Sequence, residues 1–287
     1  MQGRSSGIPS RPKVRMKVLL VAVLAVAVLA GSGTAWSVSR IKVPVPHPLV
    51  RVLLAGDSVA ESMGRGLSVD AYKYDVALVA VTLKGCGVTM AKTVFYGGVI
   101  TPTEPYCQQW PSTYSRAVQR FKPNISVLLA GRWEVANALW HGHWTSIDHP
   151  GYASYIAQQL SEAIKVLSSG GAKVALLTAP YYAPKTEPFR RNGTPSCSPG
   201  CNRYFPEDSP ERVNKYNQIL RQVALKYPKV ATVINLNAEV DPGGHFASVI
   251  GGVQIRNPDG IHFTVPAGGE WLRPYLLPKL ASLGGSG

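Results

Sequence analysis

The chain has 287 residues, 45% hydrophobic and 16% charged, enough for one sizeable globular domain with extensions. Five units of its formal +14 charge lie before Val18 and the remaining +9 is spread thinly. With no dense basic run, nucleic acid is excluded as a partner, while an anionic envelope, a polyanionic glycan or plain solubility all suit the charge.

Residues 1–17 form a basic tail, carrying Arg4, Arg11, Lys13, Arg15 and Lys17 and no acid. Its "GRSSG" matches a Gly-x-Ser-x-Gly elbow in letters only, since no strand precedes it. Val18 to Val38 is an uncharged stretch of 21 residues, long enough to cross a bilayer. The basic flank then predicts a cytoplasmic N-terminus. A cleaved signal peptide is the rival, because the strongly apolar part is short and "SGTA" offers small residues. Either way the remaining chain is expected outside the cytoplasm, held at the cell membrane by a single pass or secreted. Residues 39–50, with three prolines, read as an extended linker.

From Arg51 onward, apolar runs at Val52–Ala55, Val76–Val81, Ile125–Ala130, Val174–Ala179 and Val230–Leu236 predict five strands. Their continuous apolarity suits a mainly parallel sheet covered on both faces. Between them lie helical patterns. One has a stripe of Tyr155, Ile156, Leu160, Ile164 and Leu167 and stops at Gly170-Gly171. A second opens at Ser209-Pro210 and ends by Pro228, and a third begins near Thr264. The alternation predicts a three-layer α/β/α sandwich over 51–283, with 284–287 as a flexible end.

Four cysteines in an exported domain favour two disulfides, paired by sequence proximity as Cys86–Cys107 and Cys197–Cys201. Zinc is the alternative, which the wide Cys86 to Cys107 spacing disfavours. "WHGHWTSIDH" holds His141, His143 and His149. It lacks a convincing ligand set and reads better as a loop offering Trp140 and Trp144 for stacking, or as ordinary packing. Tyr181–Asp208 is a long insertion, a lid candidate, in which Arg190, Arg191 and Arg203 are available to an anionic acceptor.

"AGDSVAESMG" places Ser58 just past the first strand, where ligands of open α/β sheets bind. Helix-end N–H groups there favour developing negative charge, although a serine so placed is also the usual N-cap. Far along the chain, "NPDGIHFT" sets Asp259 three residues before His262. Neutral His262 can accept the serine proton while Asp259 fixes its tautomer.

"GDS" after the first strand and "DGIH" before the last helix resemble the SGNH, or GDSL, hydrolase superfamily. With "KGCGVT" and "LLAGRWEV", the likeness is nearest to the extracytoplasmic SGNH domains associated with bacterial membrane O-acyltransferases. The resemblance implies a flavodoxin-like fold, no metal or cofactor, and ester chemistry on acylated glycans. It makes Ser58 the nucleophile, His262 the base and Asp259 its partner. It gives the oxyanion hole to the N–H groups of Ser58 and Gly85, with Gly87 the lesser choice. Gly-x-Asn-Asp is expected in the third block, where "GRWEVAN" stands instead. Trp133, Arg132 or Asn137 would then supply the missing donor or bind substrate. The expected function is a serine esterase or O-acyltransferase acting on O-acyl, chiefly acetyl, groups of a cell-surface glycan. A separate membrane O-acyltransferase is the partner implied. The missing asparagine motivates the alternative of a non-catalytic glycan-binding or scaffold domain.

Overall fold

The computed structural model describes residues 49–184, 206–265 and 267–285. The span at 18–38, the linker up to residue 48, Cys197, Cys201, Arg190, Arg191 and Arg203 lie outside the described residues. In chain order the first half contains β1 (Val50–Gly56), α1 (Ser58–Ser68), β2 (Val76–Thr82), β3 (Thr93–Tyr96), β4 (Val99–Pro102), α2 (Trp110–Phe121), β5 (Ile125–Leu129), β6 (Asn137–Trp140) and β7 (His143–Thr145). The second half contains α3 (Pro150–Ser168), β8 (Lys173–Leu177), α4 (Pro210–Ala224), β9 (Ala231–Ile234), α5 (Leu236–Val240), β10 (Val249–Ile250), β11 (Val253–Gln254) and α6 (Ala267–Gly285).

The five expected strands form one sheet in the order β2-β1-β5-β8-β9, every neighbouring pair parallel. This is the flavodoxin-like arrangement, with α1 packed beside α6, and α2, α3 and α4 packed in succession. The core is the sheet's middle. Val52–Ala55 of β1 and all five residues of β5 are buried, as continuous apolarity predicts. Ser126 is tolerated there because its hydroxyl donates to Leu167 O at 2.8 Å. Ser209 caps α4 as expected, accepting from the Arg212 N–H.

Several elements differ from expectation. A second, antiparallel sheet, β4-β3-β6-β7, is built from two hairpins whose strands are only three or four residues long. Their turns are Gly97-Gly98 and His141-Gly142, all at positive φ, the two-residue turn that matches strand twist. "WHGHW" is therefore a hairpin: Trp140 packs on Tyr152 and Tyr155, and Trp144 stays half-exposed. Among the described residues no three His, Cys, Asp or Glu side chains gather as metal ligands. The last helix starts at Ala267, three residues beyond Thr264, and continues through Gly285, so 284 and 285 are helical where a loose end was expected. Gly284 packs closely on Val50 and Ile125. Among the described residues no helix is long and apolar enough to cross a membrane.

The hairpin β3–β4 interrupts the passage from β2 to α2, and β6–β7 the passage from β5 to α3. Both passages leave the carboxyl ends of parallel strands, so the small sheet is raised on the rim where Ser58 stands.

Candidate active site

β1 ends at Gly56, whose φ is +147°. A Cβ there would lie 2.0 Å from Leu129 O on the neighbouring strand, so the chain turns out of the sheet only with glycine. Asp57 follows as the N-cap of α1, its Oδ1 accepting from the Val59 and Ala60 N–H groups at 2.8 and 3.4 Å. Capping thus falls to Asp57 and leaves the Ser58 hydroxyl free of that task. Ser58 Oγ instead lies 2.9 Å from His262 Nε2.

The histidine is held from behind. Asp259 Oδ2 is 2.7 Å from His262 Nδ1, while its Oδ1 accepts from the Ile261 and His262 backbone N–H groups at 2.8 and 3.0 Å. A carboxylate at Nδ1 requires the proton on that nitrogen, which leaves the Nε2 lone pair facing Ser58. Partial burial pushes the Asp259 carboxyl up. The hydrogen bonds from the His262 ring and the two amides outweigh this and hold it below the ordinary aspartate value.

The loop itself rests on Arg256, wholly buried against the Phe263 ring at 4.2 Å, which donates to Ile261 O at 3.2 Å and meets Asp241 at 3.5 Å. Asp241 in turn accepts from the Tyr181 and Ala247 N–H groups. Ser62, one turn beyond Ser58, accepts from the Phe263 N–H at 3.1 Å and ties the two site-bearing elements together.

The loop after β2 carries Gly85. Its N–H makes no hydrogen bond to the described residues, and neither does that of Ser58. The loop is fixed by Leu83 N–H donating to Gly56 O at 2.8 Å, by Tyr106 donating to Lys84 O at 2.9 Å, and by the Cys86–Cys107 disulfide, Cα to Cα 5.1 Å. Gly87, the lesser oxyanion choice, has a different reason to be glycine: a Cβ there would sit 2.1 Å from Glu134 Oε1.

Glu134 is the residue that sequence reasoning passed over. Wholly buried, it accepts from the Val88 N–H at 2.6 Å and the Gly131 N–H at 2.7 Å, bracing the second block against the third. A lone acid inside the apolar "LLAGRWEV" was the available signal. Burial raises its pKa, and it also raises that of Asp57, to about 7, with the Glu134 charge adding to the effect there.

A cavity of about 540 Å³ opens beside Ser58 and His262, bounded by Glu61, Ser62, Arg65, Lys84, Asn257 and Phe263 among others. None of the three expected substrate-binding residues lines it. Arg132 is buried, paired with Asp208, bonded to Tyr96 Oη and held between the Tyr96 and Tyr182 rings at 4.7 Å each. Asn137 accepts from Arg212 at 2.8 Å. Arg132 is therefore a buried strut, its guanidinium partnered by a distant segment, while Asn137 braces the Arg212 guanidinium. Trp133 stacks on Tyr96 at 4.6 Å, with its ring 3.8 Å from where a Gly85 Cβ would stand, and so backs the Gly85 loop. Its buried indole N–H has no partner among the described residues.

A parallel sheet of this order, with serine past the first strand and Asp-x-x-His returning before the last helix, defines the SGNH hydrolase class of α/β proteins. The chain belongs to the SGNH domain family described as fused to AT3 domains, whose family model matches residues 36–276.

No curated protein matches the chain. Among solved structures it is similar to the periplasmic domain of a lipopolysaccharide acetyltransferase from Salmonella ser. Paratyphi A. That pair is 15% identical over 81% of this chain and 84% of the other, at a TM-score of 0.48. It is also similar to TesA, at 18% identity, 81% and 99% coverage and a TM-score of 0.47. LAE5, an alpha/beta hydrolase enzyme from the metagenome of Lake Arreo, Spain, is 14% identical, with 82% and 96% coverage and a TM-score of 0.49.

Proposed function

We propose that the domain is a serine esterase or O-acyltransferase acting on O-acyl groups, chiefly acetyl, of a cell-envelope glycan. The observation that carries this reading is the unbroken chain from Ser58 Oγ through His262 to Asp259, at 2.9 and 2.7 Å. Ser58 Oγ attacks the acyl carbonyl carbon while its proton passes to His262 Nε2. The carbonyl oxygen becomes an oxyanion, held by the N–H groups of Ser58 and Gly85, each donor worth roughly 3 kcal/mol. Asp259 steadies the imidazolium. The sugar oxygen then leaves with the proton from His262, and the acyl group remains on Ser58. Water completes a hydrolysis and a second sugar hydroxyl completes a transfer, each giving its proton to His262, which returns it to Ser58.

The family's fusion to AT3 domains supports an extracytoplasmic setting and a membrane O-acyltransferase as partner and acyl source. In this reading Val18 to Val38 anchors the chain in the bilayer. No metal or cofactor is needed for any step.

Labelling with a fluorophosphonate tests the mechanism. Wild type should label at Ser58, Ser58→Ala and His262→Ala should lose the label, and Asp259→Asn should slow it about a hundredfold or more. The same variants should lose acetate release from O-acetylated envelope polysaccharide. Wild-type protein that binds the polysaccharide yet stays unlabelled would establish a glycan-binding domain instead.

A further inference from the structure

One face of α1 forms a wall of the cavity. Ser58, Glu61, Ser62 and Arg65 follow at helical spacing, so the nucleophile stands in the first turn and Arg65 two turns on, about 10 Å along the axis. Arg side chains lean toward the N-terminus of their helix, which brings the guanidinium back toward Ser58. Lys84, the residue before Gly85, lines the same cavity from the loop that the disulfide and Tyr106 hold still.

A single carboxylate lies between the two cations: Arg65 Nη2 is 2.6 Å from one Glu61 oxygen and Lys84 Nζ 3.2 Å from the other. The Glu61 side chain is 19% exposed, whereas Arg65 and Lys84 are 65% and 64% exposed. Such exposed pairs are weak, and each cation, exposed at the cavity's edge, keeps donors that Glu61 does not use. Two positive groups share one negative group, so the wall beside the nucleophile keeps a net positive charge.

We propose that Arg65 and Lys84 form a subsite for an anionic group, carboxylate or phosphate, on the glycan whose acyl ester reacts at Ser58. The assignment rests on the proposed function and narrows its substrate to acidic glycans charged within a sugar residue or two of the ester. Glu61 holds the cations in place when the subsite is empty. The guanidinium fork suits either anion in bidentate fashion, and Lys84 adds a point charge.

The test measures protection of Ser58 in the full chain against a fluorophosphonate, so it works for esterase and transferase alike. Three competitors are compared at low salt: oligomers of polygalacturonate, a sugar-phosphate polymer and uncharged xylan oligomers. Polygalacturonate or the phosphate polymer should slow labelling about tenfold more than xylan does, and which of them does so tells carboxylate from phosphate. That advantage should vanish in Arg65→Gln/Lys84→Gln and in wild type at 0.5 M salt, and Arg65→Lys should keep only part of it. Equal protection by charged and neutral oligomers, or an advantage that survives the double substitution, overturns the subsite and leaves the serine mechanism standing. Absence of any label at Ser58 in wild type brings down both.

Discussion

Asp57 caps α1 with one carboxyl oxygen and leaves the neighbouring Ser58 N–H unbonded, so a single side chain both starts the helix and spares a donor. It does this from full burial, and burial, reinforced by the Glu134 charge, lifts its pKa from the ordinary 3.8 to about 7. The Val59 and Ala60 amides and the Arg132 charge oppose that rise. Because the folded value exceeds the unfolded one, the native state binds the proton more tightly. The resulting stability is complete below about pH 4 and is lost as pH rises through about 7, on the order of 4 kcal/mol at full extent. Asp57→Asn keeps an oxygen for the two amides and never ionises. Thermal melts between pH 5 and 8 should therefore show a smaller fall for the variant than for wild type, with Glu134 left to titrate. An equal fall in both would show that Asp57 is ionised in the native state throughout that range, so that burial does not raise its pKa.

At the scale of elements, the Cys86–Cys107 bridge matters because of what it adjoins. It joins the loop carrying Gly85 to the turn before α2, closing a segment of 21 residues. A loop of that size contributes about 3 kcal/mol through the unfolded chain. Cys86→Ala/Cys107→Ala should lower the denaturation midpoint accordingly. If the loop also positions an oxyanion donor, labelling of Ser58 should slow by about tenfold at temperatures where the variant is still folded. A variant that loses stability but labels at the wild-type rate would reduce the bridge to a staple. The small sheet is the element least legible in the residues. Its strands are too short for a period of two to stand out, and only the paired turn residues Gly97-Gly98 and His141-Gly142 mark it. The long helix α3 was legible, since its stripe from Ile156 to Leu167 repeats over about three turns of buried residues.

Across the whole molecule, site and core form one structure. Arg256 and Asp241 are both fully buried, and through Ile261 and Phe263 they carry the loop that presents His262. Arg256→Ala strands a buried carboxylate and should cost about 3 to 5 kcal/mol while displacing His262. Urea melts and Ser58 labelling should fall together; full labelling by a destabilised variant would separate the loop from its support. The five parallel strands were readable from local pattern, and the family from the resemblance of its short motifs, because continuous apolar runs and motifs are properties of neighbouring residues. Tertiary structure alone decided that Ser58 meets His262 across a separation of 204 positions. It alone turned Arg132 inward toward Asp208, 76 positions away, and brought Arg212 to Asn137. A polar side chain becomes strut or contact according to which distant groups reach it once the chain has closed, and no neighbour in the sequence carries that information.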